Sequence, residues 1–249
     1  MRSLWPSLCL ALVLPALAAG RPPLVEAALA AEARLDASRA LELFLQADRV
    51  TPNDAFILQK IARQYSDLVA DQADPAAKLR YARTALGFAQ RAVVLEPKNA
   101  VNVLSLAVCH GKLALCSETA AKLEYSRLVK AETEQALALD PDYAWAHHVL
   151  GRWHREVASV GATTKFLARL FYSGLPAAST DEAVRQLRRA TELEPDELNH
   201  WIELGFAYAA AGQPAQARIQ WQHGLAMPVR AKPDLSAQQR AREALARLD

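Results

Sequence analysis

The 249 residues carry 29 Lys and Arg against 27 Asp and Glu, and only 9 of them are glycine. Charge this evenly matched excludes the concentrated basic surface that phosphate binding requires, so no nucleic acid is expected as a partner. Alanine and leucine dominate, and acidic and basic residues alternate along the chain rather than forming blocks, the profile of a soluble, helical globular protein.

The first residues stand apart. Arg2 supplies a positive start, Leu8 to Leu14 is an apolar run, and Ala16-Leu17-Ala18 offers the small-x-small pattern of a signal peptidase site. The reading is a secretory signal peptide over residues 1–19, removed on export to the periplasm or outside the cell; the alternative is an uncleaved N-terminal anchor. Cys9 is an ordinary apolar residue of that run. Export would leave Cys109 and Cys116. Seven residues apart in one helix, they are about 10 Å from each other, too far for a bridge unless the helix breaks near Leu113 to Ser117, so two buried thiols are expected.

Prolines punctuate the rest of the chain. Pro52, Pro97, Pro141 and Pro195 each end an Ala-rich helix, at spacings of 45, 44 and 54 residues. Counting back from each gives Ala40, Phe44 and Ala47; Ala85, Ala89 and Ala92; Val129, Thr133 and Ala136; Ala183, Leu187 and Ala190. Counting forward gives Leu58, Ile61, Ala62 and Tyr65; Val103, Leu106, Ala107 and His110; His147, Leu150, Gly151 and His154. The last unit is the clearest: Trp201, Leu204, Gly205 and Tyr208, then Ala217, Trp221 and Gly224, the offsets of a tetratricopeptide repeat with Trp221 in the aromatic slot. Small Gly205 and Ala217 let two helices approach where the rings fill the crossing. A strict array repeats every ~34 residues, so each unit here carries an excess, roughly 10, 11 and 20 residues.

The expected fold is therefore all-α, a right-handed α-solenoid of degenerate tetratricopeptide helix hairpins, one continuous domain over residues 20–249. A helix from about Leu24 to Val50, broken near Leu35, opens it. Hairpins follow over about Asp54 to Leu95, Asn99 to Leu139, Tyr143 to Leu193 and Glu197 to Ala226. A terminal helix after Pro233, capped by Ser236, closes the end with Arg240, Arg242 and Arg247 facing solvent. The 160–180 insert is expected to be a short helix packed across the array, with Phe166, Leu167, Leu170 and Phe171 on one face; a membrane-surface helix is the sharper alternative. Ser179-Thr180-Asp181-Glu182 is a helix start signal.

Gly151-Arg152-Trp153, Phe166-Leu167-Ala168-Arg169-Leu170-Phe171, Pro176, Ser179-Thr180, Asp181-Glu182-Ala183, Arg189-Ala190 and Pro195 together resemble the regulator of microtubule dynamics family, over about Asp48 to Leu225. The resemblance implies a tetratricopeptide-like helical protein that binds partners. Its animal members associate with microtubules and organelle membranes, and a protein of that kind is the alternative reading.

The expected functional surface is the concave face formed by the first helix of each hairpin. It places Trp145, His148, Arg152, Arg155 and Glu156 in a groove with Phe56, Gln59, Arg63, Leu104, Lys112, Ile202 and Phe206. Aromatic anchors beside guanidinium forks suit an extended peptide or protein segment bearing an acidic side chain or a C-terminal carboxylate; the plainer reading is a solvated helix face. His147 and His154 occupy interior repeat positions and lack ligands at helical spacing, so core histidines are expected rather than a metal site. His200 and His223 show no partner in the sequence. No phosphate loop, G-x-S-x-G turn, H-E-x-x-H or paired carboxylate stands out. The expectation is a non-enzymatic scaffold with no catalytic residues, cofactor or metal; catalysis by residues scattered over several repeats is the remaining alternative.

Overall fold

The computed structural model describes residues 21–161 and 174–248. The expected signal peptide and most of the 160–180 insert lie outside the described residues. Within them the chain forms eleven helices and no strand: α1 (Pro23–Ala33), α2 (Ala37–Val50), α3 (Ala55–Leu68), α4 (Pro75–Leu95), α5 (Ala100–Leu115), α6 (Thr119–Leu139), α7 (Ala144–Ala158), α8 (Thr180–Leu193), α9 (Leu198–Ala210), α10 (Pro214–Ala226) and α11 (Lys232–Leu245).

Local chemistry sets the boundaries. The expected break at Leu35 is present: Leu35 takes φ 62°, and Asp36 then caps α2 by accepting from the Arg39 N–H at 2.9 Å. Asp54, Asp74, Asn99 and Ser179 cap α3, α4, α5 and α8 in the same way, satisfying amides that have no partner within the helix. Pro75 and Pro214 stand in the first turn of α4 and α10, where a missing N–H is no loss.

The helices pair as α3/α4, α5/α6, α7/α8 and α9/α10, with α1/α2 ahead of them. Every small or large residue counted back from the prolines is buried, from Ala40 and Phe44 through Ala85, Ala89 and Ala92 to Ala183, Leu187 and Ala190. Thr133, the odd member, is fully buried because its hydroxyl donates to the Val129 carbonyl at 2.6 Å. The α9/α10 crossing depends on Gly205: a Cβ there would stand 2.5 Å from Trp221 Nε1. Trp221 is fixed in turn by donating Nε1–H to the Ile202 carbonyl at 3.2 Å and by the Phe206 ring at 5.1 Å. Gly151 does the same for α7/α8, where a Cβ would stand 2.6 Å from Leu187 Cγ.

First arms of successive hairpins, α3 to α5, α5 to α7 and α7 to α9, touch one another, whereas contacts between successive second arms are sparse. The stack therefore curves with first arms inside, and the inner face is the one that carries the groove.

The last helix departs from expectation at both points made from sequence. It starts at Lys232, with Pro233 inside its first turn, because proline fits there. Ser236 is not its cap. Asp234, 1% exposed, accepts from the Arg230 and Ala231 amides at 2.7 and 2.8 Å and from Asn199 Nδ2 at 2.6 Å. Arg240 turns inward rather than to solvent, for a reason found in the groove.

Candidate functional site: the inner groove

At its C-terminal end the groove is occupied by its own side chains. Glu203 projects from the inner face of α9 and is 1% exposed. Arg155 of α7 donates to its Oε2 at 3.1 Å, and Arg240 of α11 lies 2.9 Å from its Oε1. The same two guanidinium groups flank the Phe206 ring, 5.7 and 5.2 Å from its centroid. Burial alone would push the Glu203 carboxyl up; Arg152, Arg155 and Arg240 outweigh it and hold it well below the usual carboxylate range. Arg155 is thereby committed to structure, its side chain only 19% exposed.

Beside this node Trp145, His148 and His200 form a compact ring cluster, with centroids 4.9 to 5.0 Å apart. The two histidines meet through Nδ1 at 3.0 Å, so one Nδ1–H donates and the other nitrogen accepts. Burial, and then His200, hold His148 well below the ordinary histidine range, so the His148 ring is neutral. His148 does not line an open groove, contrary to the sequence expectation: α9 of the next repeat covers it. His200, without evident partner in the sequence, is its mate. Trp145 remains half-buried.

Arg152 of α7 lies alongside this node. Its Nε–H donates to Glu156 Oε1 at 2.8 Å, its side chain keeps 42% of its exposure, its terminal nitrogens make no hydrogen bond among the described residues, and the Glu203 charge holds it all the more firmly protonated. Further toward the N-terminal end stands Lys112, half-buried, with no hydrogen bond or ion pair among the described residues. Burial lowers its ammonium, Asp67 opposes that, and Arg152 adds to it. Arg63 completes the basic residues of the inner face; its Nε lies 3.7 Å from Glu32 Oε1 and 3.9 Å from Asp67 Oδ2. The structure thus brings Trp145, His148, Arg155 and Phe206 together around Glu203, with Arg152 alongside, and leaves Lys112 and Arg63 with Asp67 along the α5 and α3 walls.

Sequence reasoning missed Glu203, Arg240 and His200. Glu203 carried a signal: it is a lone acid in the apolar run Trp201-Ile202-Glu203-Leu204, eight residues past Pro195, the offset at which Lys60 follows Pro52. Arg240 carried none, since only the docking of α11 on α9 turns it inward.

The two ends of the described chain also meet. Lys232 pairs with Asp71 at 2.5 Å, and the segment Arg230–Lys232, pinned by Asp234, faces α1 and α3 across a cavity of about 230 Å³.

His147 and His154, expected in the core, are half-buried, and His110 meets Glu132 Oε2 through Nδ1 at 2.7 Å. His147 bonds Gln186 Oε1 at 2.6 Å and the Pro141 carbonyl at 2.9 Å, His154 accepts from the Ser179 amide at 3.4 Å, and His223 lies 4.3 Å from Trp201. Both cysteines are free: α5 runs unbroken to Leu115, and buried Cys109, whose thiol is pushed up to about 12 by burial, contacts Ser66 Oγ at 3.6 Å. Among the described residues there is no group of three or more His, Cys, Asp or Glu able to hold a metal ion, and no helix long and apolar enough to cross a membrane.

Among solved structures, the chain is similar to TTC0263, a thermophilic TPR protein of Thermus thermophilus, at 20% identity and a TM-score of 0.67, covering 90% of this chain and 97% of that one. It is also similar to a chain of the APC/C hetero-tetramer Cut9-Hcn1, at 14% identity and a TM-score of 0.54, covering 88% of this chain and 35% of that one. These two likenesses show the fold, a solenoid of tetratricopeptide-type hairpins. A MamA protein structure matches at 15% identity and a TM-score of 0.46, covering 81% of this chain and 88% of that one. No curated protein matches the sequence. The family model for Regulator of microtubule dynamics protein 1-3 matches residues 25–249, and the chain belongs to that family.

Proposed function

We propose that the protein is a non-enzymatic scaffold that holds an extended segment of a protein partner along the inner face, and that the segment presents an acidic side chain or a C-terminal carboxylate. The observation that carries this is the contrast between committed and uncommitted cations. Arg155 and Arg240 contact Glu203 directly, whereas Arg152 acts on Glu203 from farther off, holds Glu156 through Nε, and keeps its terminal nitrogens, as Lys112 keeps its ammonium, without a hydrogen bond among the described residues. A carboxylate between them would give two partly desolvated cations the charge-assisted hydrogen bonds they lack. Half-buried Trp145 supplies the apolar anchor beside them.

The test is a pull-down from native cells with the wild-type chain and with Lys112→Ala plus Arg152→Ala. The double variant should lose most partner capture yet stay folded, with a thermal midpoint lowered modestly, because Arg152 is one of the charges that hold the Glu203 carboxylate. Undiminished capture would remove the groove from the function. Family membership favours a second reading, association with microtubules, for which co-sedimentation with and without the same double substitution is the check. We also infer export, from the Arg2, Leu8–Leu14 and Ala16–Ala18 pattern; a mature protein that still begins at Met1 would overturn it.

A further inference from the structure

The cavity between the two ends of the array differs from the groove in the balance of its charges. It is lined on one side by α1, Leu35, the start of α2 and α3, and on the other by Arg230, Ala231 and Lys232. Several of its charges are spoken for: Glu32 accepts from Lys60 at 2.8 Å and from Gln64 at 2.7 Å, and Lys232 is paired with Asp71. Three groups are not. Asp67, with a side chain 14% exposed, accepts no hydrogen bond and meets Arg63 Nε only at 3.9 Å. The terminal nitrogens of Arg63 bond nothing, and the Arg230 guanidinium has neither hydrogen bond nor ion pair among the described residues. Burial, aided by the Glu32 charge, pushes the Asp67 carboxyl up despite the Arg63, Lys112 and Lys232 charges. Leu29 and Leu35 give the same space an apolar wall.

A largely buried carboxylate without a close donor, two solvent-facing guanidinium forks and an apolar wall around about 230 Å³ match one kind of small molecule. We propose that this cavity binds a zwitterion with a short apolar body, the class of a free aliphatic α-amino acid: its ammonium donates to Asp67, its carboxylate accepts from Arg63 and Arg230, and its body lies against Leu29 and Leu35. Such a ligand bridges α3 to the segment ahead of α11, so it closes the ends of the array on one another and stabilises that closed form. The site borders the peptide groove at Arg63 and Asp67, but it makes no use of Arg152 or Trp145.

The experiment is calorimetric titration of the full chain with L-valine, isobutylamine and isobutyrate, which present both charges, the ammonium alone and the carboxylate alone on similar bodies. L-valine should give saturable binding and raise the thermal midpoint, and the two singly charged probes should do neither. Asp67→Asn and Arg230→Gln should each weaken L-valine binding about tenfold or more. Asp67→Asn should itself fold at least as stably as the parent at neutral pH, since it removes a carboxylate whose ionisation burial opposes. L-valine binding should persist in the Lys112→Ala plus Arg152→Ala variant, which separates this site from the groove. No saturable heat with L-valine, equal binding of either singly charged probe, or undiminished binding by Asp67→Asn would overturn the proposal.

Discussion

A flanking helix meets the array at each end through an ion pair at the same offset, eight residues past the proline of the hairpin it joins. At the N-terminal end Lys60 of α3 reaches Glu32 of α1 at 2.8 Å; at the C-terminal end Glu203 of α9 meets Arg240 of α11 at 2.9 Å. The two middle hairpins carry Ser105 and Val149 there. The ends differ in solvation. Glu32 keeps 18% of its side-chain exposure and finds a neutral donor in Gln64, whereas Glu203 keeps 2% and is faced by Arg155 as well as Arg240. The same position in the repeat therefore serves as a partly hydrated clamp at one end and as the buried hub of a charge network at the other.

That contrast sets the order of expected effects. Glu203→Gln should be the most damaging, because it leaves two guanidinium groups facing each other with no counter-charge; a loss of about 3 kcal/mol in urea unfolding is expected. The depressed carboxyl gives the sign of its pH dependence. Its contribution is complete above the ordinary carboxylate range, persists through mild acid, and is lost only in stronger acid as pH falls through the depressed value.

Next comes His148, which belongs to the C-terminal end alone. Its folded form binds a proton less readily than the unfolded chain, so stability should fall as pH drops below about 6.5, by up to about 1.4 kcal/mol per pH unit. His148→Asn should flatten that slope, and an unchanged slope would place its origin elsewhere. Glu32→Gln, at the wetter end, should cost about 1 kcal/mol, since Lys60 can regain water. Lys232→Ala should be smallest, about 0.5 kcal/mol or less, and should vanish at high salt, because that pair is partly exposed. A Glu32→Gln loss as large as that of Glu203→Gln would erase the distinction between the two ends.

The repeat was open to reading because its cause is local. Residues such as Gly205, Ala217 and Trp221 recur at fixed offsets from a proline, and close packing permits few other residues there, so helix pairing and most helix limits follow from counting. The groove was legible only by position. Arg152, Lys112 and Arg63 could be placed on the inner face from helical spacing, but whether each cation was free or consumed depended on what the next repeat placed opposite it.

Arg155 shows the limit most clearly. Its offset marks it as a groove residue, yet Glu203, 48 positions later, makes it part of the core. His148 and His200, 52 apart, and Lys232 and Asp71, 161 apart, follow the same rule. The sequence by itself determined which helices form and how they pair, since those contacts are short-range and periodic. Only the tertiary structure decided which charges are neutralised by another repeat and which are not, because the curvature of the stack sets which distant arms face each other.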